Sequence, residues 1–115
     1  MGIAPTPAGL GTRDMTCVNE HGFSFLFLSQ PKQIYFFVFS KMPKQTRGPY
    51  QQRWTKRDAE EVADKVKDHP VSDSLLFGEL WRTRIRGQLV SIEEGVFKHW
   101  YSGRMVLAGD AVHKV

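Results

Sequence analysis

The sequence predicts an α+β domain in which two or three helices pack on one face of an antiparallel β-sheet. Two strand-like runs and one helix-start signature carry that expectation. Residues 22–28 and 33–40 are dense in Phe, Tyr, Val, Ile and Leu, and Ser29-Gln30-Pro31-Lys32 between them is a hairpin signal. Thr55-Lys56-Arg57-Asp58 matches a capping box with Asp in the reciprocal place, which opens a helix. At 115 residues the chain is long enough for a real core and short of the size at which chains divide, so one domain is expected.

Taken in order, residues 1–16 contain Pro5, Pro7, Gly9 and Gly11 with little apolar periodicity, and read as a flexible arm before a single domain over 17–115. Gly9-Leu10-Gly11-Thr12-Arg13-Asp14 begins like a dinucleotide fingerprint, but Asp14 replaces the third glycine and no strand is expected before it. Met1-Gly2-Ile3-Ala4-Pro5-Thr6 satisfies the loose N-myristoylation pattern, which short sequences often match by chance. In both strand runs neither alternating set is polar enough to face water, so both sheet faces need cover. One helical layer covers a single face, and an apolar ligand or a second subunit is expected on the other.

Residues 41–53 are polar and basic and form a long connection that could act as a lid. Ala59, Val62, Ala63 and Val66 then give one apolar stripe, while Glu60, Glu61, Asp64, Lys65 and Lys67 stay wet. His69-Pro70 ends this helix, and Ser72 can cap a short second one with Leu76, Phe77 and Leu80 inward. Arg82, Arg84 and Arg86 alternate, which on a strand aligns three guanidinium groups for phosphates or charges an edge against sheet association. Val96, Phe97 and Trp100 suggest a helical turn. Residues 105–108 then read as a short buried strand stopping at Gly109, with Asp110 and His113 presented to a crevice.

The hydrophobic content of 41% excludes a disordered chain, and the net charge of +4 is compatible with nucleic acid, anionic ligands or neither. Cys17 has no intramolecular partner and reads as a small buried hydrophobe in a reducing, cytoplasmic setting. No signal-peptide pattern or membrane-length apolar run is present, so stable membrane anchoring is not expected.

Several stretches together closely resemble the middle of fungal FAD-dependent monooxygenases. They are Gly22-Phe23-Ser24-Phe25-Leu26, Ile34-Tyr35-Phe36-Phe37-Val38-Phe39, Arg53-Trp54-Thr55, Leu89-Val90-Ser91-Ile92-Glu93-Glu94-Gly95-Val96-Phe97, Trp100, and Gly103-Arg104-Met105-Val106-Leu107-Ala108-Gly109-Asp110-Ala111-Val112-His113-Lys114. The nearest likeness is to the epoxidases of indole-diterpene and meroterpenoid pathways, in the para-hydroxybenzoate hydroxylase-like class. The resemblance implies a substrate-binding domain, and it matches Asp110 to a flavin-contacting aspartate. The glycine fingerprint of that family is missing, and the sequence stops at Val115, ahead of the turn and helix that complete the flavin site.

Three functions follow as expectations. The first is a cofactor-independent isomerase or cyclase acting by acid-base chemistry on a terpenoid, meroterpenoid or polyketide-like molecule, with no cofactor and no metal. In it Asp110, His113, Glu94 and Arg104 are catalytic, with His99 a further candidate, and an aromatic pocket would desolvate Asp110. Tyr35, Phe37, Phe39, Phe25, Trp81 and Trp100 bind the hydrophobic substrate, and a homodimer closes the open face. The second is a truncated FAD-dependent monooxygenase, with FAD as cofactor, inactive alone or needing a complementing chain. The third is a nucleic-acid-binding module using Arg82, Arg84 and Arg86; nucleic acid is not a partner under the first reading.

Overall fold

Four strands precede the first helix: β1 (Gly2–Pro5), β2 (Met15–Glu20), β3 (Phe23–Ser29) and β4 (Gln33–Ser40). They are followed by α1 (Lys56–Lys65), β5 (Pro70–Ser72), β6 (Leu75–Leu76), α2 (Phe77–Arg82) and β7 (Arg86–Gly87). The computed structural model describes residues 1–42, 44 and 52–114. Most of the expected lid, residues 43 and 45–51, lies outside the described residues. The main sheet runs β2-β3-β4-β1-β7 with every neighbouring pair antiparallel, so the α+β expectation holds with two helices.

Cross-strand register sorts the side chains into two faces. Phe27 opposes Phe36, Phe25 opposes Val38 and Ala4 opposes Ile34, and these residues make the inner face. Against it the helices place Ala63, Val66, Phe77 and Leu80. The Phe77 ring lies 5.4 Å from Phe25 and 5.7 Å edge-on from Phe36, both ordinary aromatic packing distances. Burying one such side chain contributes about 1.5–3 kcal/mol, so these rings fix how the helices seat. Gly2 is required where β1 crosses Phe36: a Cβ there would stand 2.3 Å from the ring and 2.8 Å from the Arg86 carbonyl.

Both helix starts follow capping chemistry. The Asp58 amide donates to Thr55 Oγ1 at 3.2 Å, and the Thr55 amide donates to the Asp58 carboxylate at 2.7 Å. The Thr55 hydroxyl and amide together hold the Asp58 carboxyl below its ordinary value. At α2 the expected Ser72 cap does not form, because Ser72 belongs to β5. Glu79 instead accepts from the Leu76 amide at 3.1 Å, a reciprocal cap that needs no polar N-cap side chain.

Several expectations are corrected. Within the stretch read as an arm, Gly2–Pro5 forms β1 inside the sheet; Pro5, its last residue and paired with Gln33, and Pro7 just beyond it hide the strand. Cys17 is exposed on the edge strand β2 instead of buried. The arginine stripe does not form: Arg82 ends α2, and Arg84 turns back to Glu60, with its guanidinium 4.0 Å above the Trp81 ring.

At the entry to β2, Arg13 donates its amide to the Ser29 carbonyl at 2.9 Å, while the Ser29 amide donates to Asp14 at 2.9 Å. This two-against-one pattern, with Arg13 at φ 68, is a G1-type bulge whose first position favours glycine. Arg13→Gly is expected to stabilise the chain by about 0.5 kcal/mol, the relief of left-handed strain less the glycine entropy, seen as a higher urea midpoint. Thr55→Ala is expected to cost about 1 kcal/mol at neutral pH. Because the folded-state value of Asp58 is depressed, its stabilisation is full above the unfolded value and is lost as pH falls through the folded one. The Thr55→Ala penalty should therefore shrink in acid, which urea melts across that range would read directly.

Candidate functional site

The helices leave the second face of the sheet open. Register places Tyr35 opposite Leu28, Phe37 opposite Leu26 and Phe39 opposite Ser24 on that face, and β1 adds Ile3 beside Tyr35. Met15 and Cys17 of β2 extend the same rows past Leu28 and Leu26. Phe37 and Phe39 lie near-parallel with centroids 6.2 Å apart, and Phe39 is 38% exposed. Gln33 Nε2 donates to the Tyr35 hydroxyl oxygen at 2.5 Å and fixes the orientation of that polar tip. Chemically this is a flat apolar platform with one hydroxyl, suited to a broad hydrophobic molecule held by area and one hydrogen bond.

Of the six residues expected to bind an apolar substrate, Tyr35, Phe37 and Phe39 share this platform. Phe25 is 2% exposed and faces the helices, because period-2 alternation puts it on the opposite face from Leu26. Trp81 lies on α2 under the same inner face, packed on Phe36 and Phe77, with its Nε1 donating to Glu60 at 2.7 Å. Trp100 lies in the C-terminal stretch, donating to the Phe97 carbonyl at 2.7 Å. The structure therefore separates the six between two sides of the main sheet and the C-terminal stretch.

The C-terminal stretch consists of short ribbons: β8 (Gly95–Val96), β9 (Tyr101–Ser102), β10 (Met105–Val106), a 3₁₀ turn at Gly109–Ala111, and β11 (His113–Lys114). Gly95 and Val96 are a strand, not the helical turn expected there. The stretch expected as a buried strand over 105–108 is strand only at Met105–Val106, and these are 71% and 77% exposed, so no packed layer covers them. β8 pairs with β11, His113 opposite Val96, which gathers Glu94, Asp110 and His113 on one ribbon. Arg104 sits apart, in the turn between β9 and β10. All four are exposed, as is His99, and no hydrogen bond joins Asp110 to His113. A groove of about 380 Å³ lies elsewhere, between α1 and α2, and Asp110 does not line it. The aromatic pocket expected around Asp110 is thus not formed by the described residues.

Sequence reasoning missed Ile3, Met15 and Cys17 as platform residues. The signal is their alternation, hidden at Ile3 and Met15 by the arm expected over residues 1–16 and at Cys17 by the burial expected of a lone cysteine.

The chain is similar along its whole length to curated fungal proteins. It is 44% identical over 117 residues to the FAD-dependent monooxygenase DEP2 of Alternaria brassicicola, and 45% identical over 117 residues to DEP2 of Fusarium langsethiae. The match covers 100% of this chain and 22% of each relative. To the FAD-dependent monooxygenase paxM of Penicillium paxilli it is 35% identical over 101 residues, covering 88% of this chain and 20% of that protein. The chain spans about a fifth of the length of the curated relatives it matches. No family model and no solved structure matches.

These relatives correct one expectation: a cofactor-free chemistry does not agree with homologues that are FAD-dependent, and the similarity points to FAD. Nothing in them supports an isomerase or cyclase. The residues matched to the flavin-contacting position leave room for a hydroxyl-bearing group. Gly109 has φ +60 with open space where a Cβ would stand, and beside it the exposed Asp110 carboxylate can accept from a ribityl or ribose hydroxyl. Among the described residues no helix is long and apolar enough to cross a membrane.

An environment-sensitive apolar dye is expected to bind the open face. Phe37→Asp should abolish most of its fluorescence gain without altering the far-ultraviolet circular dichroism; an unchanged gain would remove Phe37 from the accessible surface.

Proposed function

We propose that this chain, the counterpart of one segment of the fungal FAD-dependent monooxygenases, supplies the substrate-facing sheet and one edge of the flavin site of such an enzyme. The observation that carries the reading is the aromatic platform of the half-buried Tyr35 and Phe37 and the exposed Phe39, on a sheet whose other face is filled by helices. An apolar natural product of terpenoid type suits it, because a broad hydrocarbon buries area against the rings while the Tyr35 hydroxyl orients one polar group. FAD, when bound, supplies reductive activation of oxygen. The chain's own part is to bind and orient the substrate and to exclude water from one side of it. Asp110 accepts hydrogen bonds from the cofactor's hydroxyls, and Gly109 lets the backbone approach it. The exposed row Val96, Phe97, Trp100, Tyr101, Met105 and Val106 supports the same reading, since residues of this kind are expected against a further layer of protein.

A chimera tests this. With this chain replacing the matching segment of the Alternaria DEP2 enzyme, the product is expected to retain flavin and to consume oxygen with the DEP2 substrate. Asp110→Ala in the chimera should lower flavin retention at least tenfold, a loss of about 1.4 kcal/mol. Phe37→Asp should keep the flavin and lose substrate turnover. A colourless chimera, or turnover indifferent to both changes, would contradict the proposal.

A further inference from the structure

The outer edge of the sheet, β2, carries a regular row of backbone groups that β3 does not take up. In an antiparallel ladder, hydrogen-bonded and non-hydrogen-bonded pairs alternate. The Ser29 amide bond to the Asp14 carbonyl, at 2.9 Å, fixes the phase of the β2–β3 ladder. With Met15 opposite Leu28 and Thr16 opposite Phe27, the N–H and C=O groups of Thr16, Val18 and Glu20 point to β3. Those of Met15, Cys17 and Asn19 point away from the sheet, along a strand that among the described residues pairs with β3 alone.

Protected edges carry prolines, lysines, inward charges or bulges within the exposed run. Met15-Thr16-Cys17-Val18-Asn19-Glu20 has no proline or lysine, its one charge is at the last position, and the Arg13 bulge lies before the strand, leaving the run regular. The strand is mostly exposed on both faces.

We propose that β2 pairs antiparallel with β2 of a second copy of this chain, about a two-fold axis through Cys17. Antiparallel pairing of identical strands is isologous. One register engages every outward group: Met15 opposite Asn19 of the partner subunit, and Cys17 opposite Cys17 of the partner subunit. Side chains stay on their faces, so the two apolar platforms join into one continuous surface across the axis. The hydrogen-bonded pair at the axis has a Cα separation of about 5.5 Å, inside the disulfide range. The same register sets Asp14 against Glu20 of the partner subunit, and this like-charge contact makes the dimer stronger in higher salt. The argument is independent of flavin and of the proposed enzymatic role.

Sedimentation of the full chain under reducing conditions tests it. The native chain is expected to dimerise, more tightly as salt rises, and mild oxidation should convert the dimer to a covalent one through Cys17. Cys17→Ser should dimerise without cross-linking. Cys17→Pro removes an outward donor and leaves the ladder to β3 intact, and Asn19→Lys places a charge on the edge; both should be monomeric with an unchanged circular dichroism spectrum. A native chain that stays monomeric overturns the proposal. So does a dimer that survives both variants, one that does not cross-link at Cys17, or one lost in Phe37→Asp but kept in Cys17→Pro.

Discussion

The structure depends on one packing arrangement, the seating of Phe77 and Leu80 against the inner-face rings Phe25, Phe27 and Phe36. These side chains are almost fully buried, and they set the position of α2 relative to the central hairpin. The remaining links are held relative to this contact. The Glu60 carboxylate takes the Trp81 indole and the Arg84 guanidinium, so α1 is tied to the end of α2 by polar bonds outside the core. Exposed ion pairs of this sort add little alone, and the aromatic burial dominates.

Having two short helices on one side leaves the chain with more apolar sheet than it covers. The substrate-facing role proposed for the sheet rests on that imbalance. A sheet made solely for stability would show polar residues on the face away from the helices, yet here Tyr35, Phe37, Leu26 and Leu28 occupy it. The C-terminal ribbons repeat the pattern with exposed aromatic and aliphatic side chains at Phe97, Trp100 and Tyr101. Both surfaces suit a chain that corresponds to a segment of larger flavin-dependent enzymes.

The central hairpin and α1 were legible because their signals are local: a two-residue period, a turn cluster and a capping box all act within a few residues. The open face was legible in part, since neither alternating set of the hairpin is polar. β1 was not, because four residues ending in a proline carry no period of their own, and only pairing with β4 and β7 makes them a strand. The C-terminal reading failed for a related reason. An apolar run such as Met105-Val106-Leu107 predicts burial, but burial needs a covering layer that sequence cannot place. The flavin link of Asp110 came from resemblance, while its acid-base role required a pocket the described residues do not build.

The claim that the sheet face away from the helices receives the substrate is most directly tested by nuclear magnetic resonance of the isotopically labelled chain titrated with a rigid apolar ligand. The account predicts shifts concentrated at Leu26, Leu28, Tyr35 and Phe37, with Phe25 and Phe27 changing little. Shifts confined to the groove between α1 and α2, around Ala63 and Trp81, would contradict it.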